Sequence, residues 1–290
     1  MEFLHRLNPA TLFSRSRAGK IKPKTRSSKK IIHFTIEKRQ KFIISVTLLS
    51  IILFFTEFQF GRSGVLIAVI LSILTDLCLF WAIKDDLNET NGFVVFILPF
   101  FYSLAFGLFY FLIPGRIIFR LLLTMLYAFG LYSLFLSQNI FVVSSIRTIQ
   151  LLSGARIVSF VITLLSYFFF SNIVFSLHIF VLYEVLLVAI YTYLLSYHSI
   201  WTYSLQKTVY STPLWVLGMT TCLAEIATAV WFWPTSPTII ALFLTGIFYV
   251  IAGLSHVWLE KRLFRNVLWE YVWVCVVVFF MLILFTPWGK

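Results

Sequence analysis

Residues 214–233, LWVLGMTTCLAEIATAVWFW, are apolar enough to lie in lipid, yet Glu225 stands near their middle. An ionisable side chain at that depth costs on the order of 3 kcal/mol and calls for a partner, a bound proton or water. Helical spacing puts Gly218, Thr221, Glu225 and Thr228 on one stripe. Three neighbouring apolar segments carry similar stripes: Arg156, Ser159, Thr163 and Ser166; Glu184, Tyr191 and His198; and Gly246, Tyr249, Gly253, His256 and Glu260. Such faces are expected to turn into a bundle, because lipid does not solvate them. Their small and hydroxyl residues suit close helix approach and interhelical hydrogen bonds. Glu225 admits two roles, a protonated carboxyl bonded to a neighbouring helix or a working group in a cavity. At 1.5 Å per residue, Glu225 falls roughly 12 Å and Glu184 about 8 Å below the outer surface, with Arg120 shallower still. Asp76 falls about 10 Å from the inner side. The expected binding site is therefore a polar cavity in the outer half, drawing on Glu225, Thr221, Thr228, Glu184 and Arg120, with Asp76 deeper. A second group, Arg147, Arg156, Arg262 and Arg265 with His256, Glu260 and Glu270, gathers at the inner face. It reads as ion pairs locking the last hairpin or as a site for anionic lipid headgroups, since Arg suits bidentate phosphate contact.

Several chemistries lack their residues. There is no His-Glu-x-x-His, no Walker A loop and no dinucleotide fingerprint. His256 and Glu260 are one turn apart but have no third ligand beside them. The cysteines, Cys78, Cys222 and Cys275, all lie in apolar runs and form no Cys-x-x-Cys. FGRSGVL, 60–66, resembles the Gly-x-Ser-Gly signature of rhomboid proteases, but no Ala-His-x-x-Gly follows it. KDDLNETN, 84–91, resembles an acidic loop of UbiA-type prenyltransferases, yet the matching loop, 198–212, has no carboxylate to complete a metal clamp. No catalytic residue, metal or cofactor is assigned.

The elements that must carry these residues follow from composition. Of 290 residues, 60% are hydrophobic and 12% charged, with a mean hydropathy of +0.95, too apolar for a soluble domain of this size. Continuous apolar runs of about 20 residues span a bilayer as helices. Nine are expected, at 42–60, 65–83, 93–113, 117–137, 157–177, 179–197, 213–233, 238–258 and 267–287. Twelve of the 23 Lys and Arg residues lie between Arg6 and Lys41, so 1–41 reads as a disordered basic tail. With that tail in the cytoplasm, nineteen of the 23 cations fall inside and four outside. The C-terminus is then external. The segment 139–156 is apolar, short and interrupted by Arg147, and reads as an interfacial or re-entrant helix. The basic tail suits anionic lipid at the cytoplasmic face; no aromatic platform accompanies it, so nucleic acid is not an expected partner.

SSIRTIQLLSGARIVSF and WLEKRLFRNVLWEYVWV resemble uncharacterised polytopic proteins of small-genome bacteria. That resemblance implies a bacterial inner membrane and transfers no activity. The fold class is thus an all-α polytopic bundle of nine transmembrane helices, N-terminus in and C-terminus out. The functional expectation is a transporter or permease-like protein using the Glu225 cavity; the alternative is a membrane scaffold or assembly factor, and a lipid-modifying enzyme is a third reading.

Overall fold

The computed structural model describes residues 38–59, 64–84, 86–87, 92–112, 117–144, 150–205 and 212–287. The expected basic tail through residue 37, the 60–63 turn, most of the acidic loop, Arg147 and Lys290 lie outside them. Among the described residues the chain is helical throughout: α1 Lys38–Gln59, α2 Gly64–Ile83, α3 Val94–Leu112, α4 Ile117–Ser144, α5 Leu152–Ser176, α6 Val181–Ser204, α7 Thr212–Trp231, α8 Pro237–Leu259 and α9 Arg265–Phe285. Eight of them, α2 to α9, are long and apolar enough to cross a membrane. The exception, α1, opens on the cations of KRQK.

Each of the nine apolar runs becomes one helix. Two boundaries differ from expectation. The helix α1 starts at Lys38, so Lys38 to Lys41 are its first turn and not tail; Lys38 pairs with Asp86, and Lys41 lies over the Trp81 ring at 5.1 Å. The stretch 139–156 forms no element of its own among the described residues. Its first six residues complete α4 and its last five begin α5. At 28 residues α4 runs about 42 Å, longer than a hydrocarbon core of about 30 Å. Phe141, Val142 and Ser144 are buried there, so packing continues the helix where length alone ended it.

The centre of the bundle is α5, packed against α3, α4, α6 and α8. Aromatic rings fill the interior: Tyr102 stacks on Tyr127 at 5.6 Å, Phe109 on Phe169 at 4.2 Å and Tyr167 on Phe248 at 4.3 Å. Close approach needs small residues at the crossings. Gly107 of α3 faces Ala68 of α2 so tightly that an added Cβ would meet the Ala68 Cβ at 2.9 Å. The periphery is apolar instead of charged, with Ile118 80% and Phe129 74% exposed. Least enclosed is α9, which packs on α8 and buries one residue, Leu282.

Candidate functional site

The four polar stripes separate into two kinds. On α5, Ser159, Thr163 and Ser166 are buried, with Thr163 Oγ1 donating to the Ser159 carbonyl at 2.8 Å and Ser166 Oγ to Ile162 at 2.9 Å. On α6, Glu184, Tyr191 and His198 are all buried. On α8, Gly253 and His256 are buried, and Cβ atoms at Gly246 and Gly253 would strike Val278 and Tyr271 of α9 at 2.6 Å, so this stripe seats α9.

The α7 stripe faces the other way. The residues α7 buries are Val216, Met219, Thr220, Leu223, Ala227 and Val230, which pack toward α6. At 100° per residue Glu225 lies nearly opposite the centre of that face. Glu225, Thr221 and Cys222 are exposed, Thr228 is half-buried, and a Cβ on Gly218 would meet nothing within 4 Å. Thr221 and Thr228 return their hydroxyls to their own helix, to Gly218 at 3.0 Å and Ala224 at 2.8 Å. The expected inward orientation of this stripe is therefore corrected: the side that fits α6 is the larger and more apolar one. Of the residues expected to line an outer-half cavity, Glu184 lines one, at the C-terminal ends of α5 and α7. Glu225 is not in the wall of that cavity, Arg120 is half-buried in the first turn of α4, and Asp76 is half-buried on α2 with Oδ1 lacking a hydrogen-bond partner among the described residues.

The inner-face group assembles in part. The guanidinium of Arg156 joins three elements: Nε donates to the Thr202 carbonyl at 3.0 Å, the group lies 4.7 Å from the Tyr203 ring, and Nη1 stands 3.7 Å from Glu260. Arg262 reaches the same carboxylate at 4.0 Å while mostly exposed. His256 stacks on Tyr203 at 4.1 Å and shares a 2.9 Å hydrogen bond with Ser199. Arg265 is exposed at the start of α9 and outside these pairs, and Arg147 is outside the described residues. The Arg156 end is thus a joint between α5, α6 and α8.

Sequence reasoning missed the buried hydroxyl chain from Thr75 to Ser103 (2.8 Å) to Tyr127 (3.0 Å), which ties α2, α3 and α4. It also missed Gln138 on His198 at 3.0 Å, joining α4 to α6. The signal was present as isolated polar residues inside apolar runs, but nothing in the spacing paired them.

A cavity of about 450 Å³ opens at the C-terminal ends of α5 and α7 and the start of α6 and α8. Glu184 lies in its wall, 2% exposed, with Oε1 lacking a hydrogen-bond partner and the Trp231 indole beside the carboxylate. Trp231, Trp233 and Phe175 supply aromatic wall, and Thr235 presents a second buried oxygen without a partner. Trp233 is fixed by its indole N–H donating to Thr286 Oγ1 at 2.7 Å. His178, in the left-handed region at φ 46, closes the α5–α6 turn. A groove of about 430 Å³ runs along the other side of α7, between α7 and α8, with Trp215 stacked on Trp258 at 4.9 Å in its wall. No group of three or more His, Cys, Asp or Glu residues among the described residues could hold a metal ion.

A family model described as "Protein of unknown function (DUF5656)" matches residues 41–285. No curated protein matches, and no solved structure does.

Proposed function

We propose, for a chain that belongs to the DUF5656 family, an integral membrane protein of nine crossings that works as a scaffold, associating side by side with a second copy of itself through α7. The N-terminus lies in the cytoplasm and the C-terminus outside, at the plasma membrane, with the basic tail on anionic lipid. The lengths of α2 to α9, the apolar periphery and the inward bias of Lys and Arg support this placement, and α1 as the ninth crossing rests on the apolar run 42–60.

One observation carries the scaffold reading: Glu225 stands opposite the buried face of α7 and has no hydrogen-bond or ion-pair partner among the described residues. Facing hydrocarbon alone, it would cost on the order of 3 kcal/mol. Two copies with the same orientation, related by a two-fold axis along the membrane normal, bring each residue to the depth of its own mate. Glu225 then meets Glu225. A protonated carboxyl both donates and accepts, so the pair satisfies itself. Gly218, two turns away on the same line, leaves open space for the second helix to come close. A permeation role would need a polar passage through the bundle at Glu225, which instead stands on the exposed side of α7.

The test is the oligomeric state of the full chain in lipid nanodiscs or mild detergent, read by native mass spectrometry. The wild type is expected as a dimer. Glu225→Ala should weaken it about tenfold, from the 1–2 kcal/mol of one interhelical polar contact. Glu225→Gln, which still donates and accepts, should keep it. A monomeric wild type, or a Glu225→Ala dimer as tight as wild type, would overturn the reading.

A further inference from the structure

The cavity around Glu184 is a different place from the α7 face and stands on different observations. Its wall contains a carboxylate that is almost wholly buried and a threonine hydroxyl, and both Glu184 Oε1 and Thr235 Oγ1 lack hydrogen-bond partners among the described residues. Buried polar oxygens of this kind are costly unless something donates to them. Two such atoms lining one open cavity point to a ligand rich in N–H. The rest of the wall is Trp231, Trp233, Phe175, Ile240 and prolines. Among the described residues no Lys or Arg lines it, and the one basic side chain is His178 at the rim turn, whose Nδ1 is engaged by the Ser176 carbonyl at 2.9 Å.

We infer that this cavity binds a primary ammonium group attached to an apolar or aromatic body. A –NH₃⁺ has three donors and no acceptor, which answers a carboxylate and a hydroxyl oxygen together. Aromatic rings attract the same charge where it meets their faces, and the apolar body occupies the cavity of about 450 Å³ that Trp231, Trp233, Phe175 and the prolines line, within the range of small-molecule sites. A quaternary ammonium would satisfy the rings and leave both oxygens orphaned. A carboxylate or phosphate ligand would meet Glu184 with like charge. The wall is held ready for the ligand by the Trp233 to Thr286 bond and by the Asn172 side chain donating to Thr238 at 3.0 Å, which link α5, α8 and the end of α9 around it.

The experiment is equilibrium dialysis of 2-phenylethylamine against the full-length protein in phosphatidylcholine nanodiscs, with empty nanodiscs as blank, alongside 2-phenylethanol and the N,N,N-trimethyl derivative. Saturable binding of the primary amine is expected, with the alcohol and the trimethyl compound weaker by about tenfold or more. Glu184→Gln should lose about tenfold or more of the amine affinity. Thr235→Val should lose a few-fold and leave alcohol binding where it was. If Glu184→Gln does not accumulate, Glu184→Asp, which keeps the charge and withdraws it by one methylene, should weaken the amine while Trp fluorescence reports an intact fold. Equal binding of amine and alcohol, no saturable amine binding by wild type, or unchanged affinity in both Glu184 variants would overturn the assignment. Dimer formation through α7 is expected to be unchanged in these variants, so failure here and failure of the scaffold reading are separate results.

Discussion

Gly130→Ala is expected to cost about 3 kcal/mol, at the upper end of overpacking, and to lower the melting temperature in detergent by on the order of 5 °C or more. The reason is one contact between α3 and α4. A methyl group on Gly130 would fall on the Tyr102 hydroxyl oxygen and stand 2.9 Å from its Cζ. That hydroxyl cannot swing away cheaply, because its one proton is shared between the carbonyls of Leu126 at 3.2 Å and Tyr127 at 3.1 Å. Its ring is stacked on Tyr127 and packed on Phe106 at 4.5 Å. Tyr102→Phe alone removes a modest hydrogen bond, about 1 kcal/mol. In the double variant the closest clash is gone with the oxygen, and only the ring carbon at 2.9 Å still has to shift. The double variant should therefore melt above Gly130→Ala, a coupling that a thermal-shift double-mutant cycle reads directly. Strict additivity of the two substitutions would show that Gly130 and Tyr102 are not in this contact.

Arg156→Ala is expected to have the next largest effect, a loss of about 2–3 kcal/mol. It removes at once the bond to the Thr202 carbonyl near the end of α6, the ring contact with Tyr203 and the nearer cation of Glu260. Arg262 remains beside Glu260, but at 4.0 Å and with a side chain 76% exposed it compensates little. Arg156→Lys should recover only part of the loss, since an ammonium cannot keep the planar stack and the side-on bond together. The readout is thermal stability together with salt-dependent binding of vesicles containing anionic lipid. A stability loss with unchanged lipid binding is expected. Unchanged stability with lost lipid binding would make this end of the bundle a headgroup site instead of a joint.

The helices were legible because each one coincides with an apolar run long enough to read without a partner, so the nine runs correspond to the nine helices among the described residues. What ended each helix was less legible. The continuation of α4 to Ser144 depends on burial of Phe141 and Val142, which no local signal announces. Helical spacing also found the stripes correctly as lines on a surface. It could not say which way a line faces. On α5 and α6 the polar line is the buried one, and on α8 Gly253 and His256 are buried while Gly246 and Tyr249 are half-buried; on α7 the opposite side carries Val216, Leu223 and Val230 and wins the contact with α6. Where both sides of a helix are apolar enough for lipid, orientation is decided by shape against the neighbour. Glu184 was legible from its heptad spacing with Tyr191 and His198. Its cavity was not, because Trp231, Trp233 and Thr235 reach it through the α7–α8 turn, 47 to 51 residues along the chain.

The most direct test of the outward α7 face is a cysteine cross-linking scan along that helix. Cys78, Cys222 and Cys275 are first replaced by serine, and single cysteines are then placed at positions 216 to 230 and oxidised in native membranes. Disulfide-linked dimers should peak at 218, 222, 225 and 229 and fall to background at 216, 220, 223 and 227. Maxima at 216, 220, 223 and 227, or no cross-linked dimer at any position, would contradict the account.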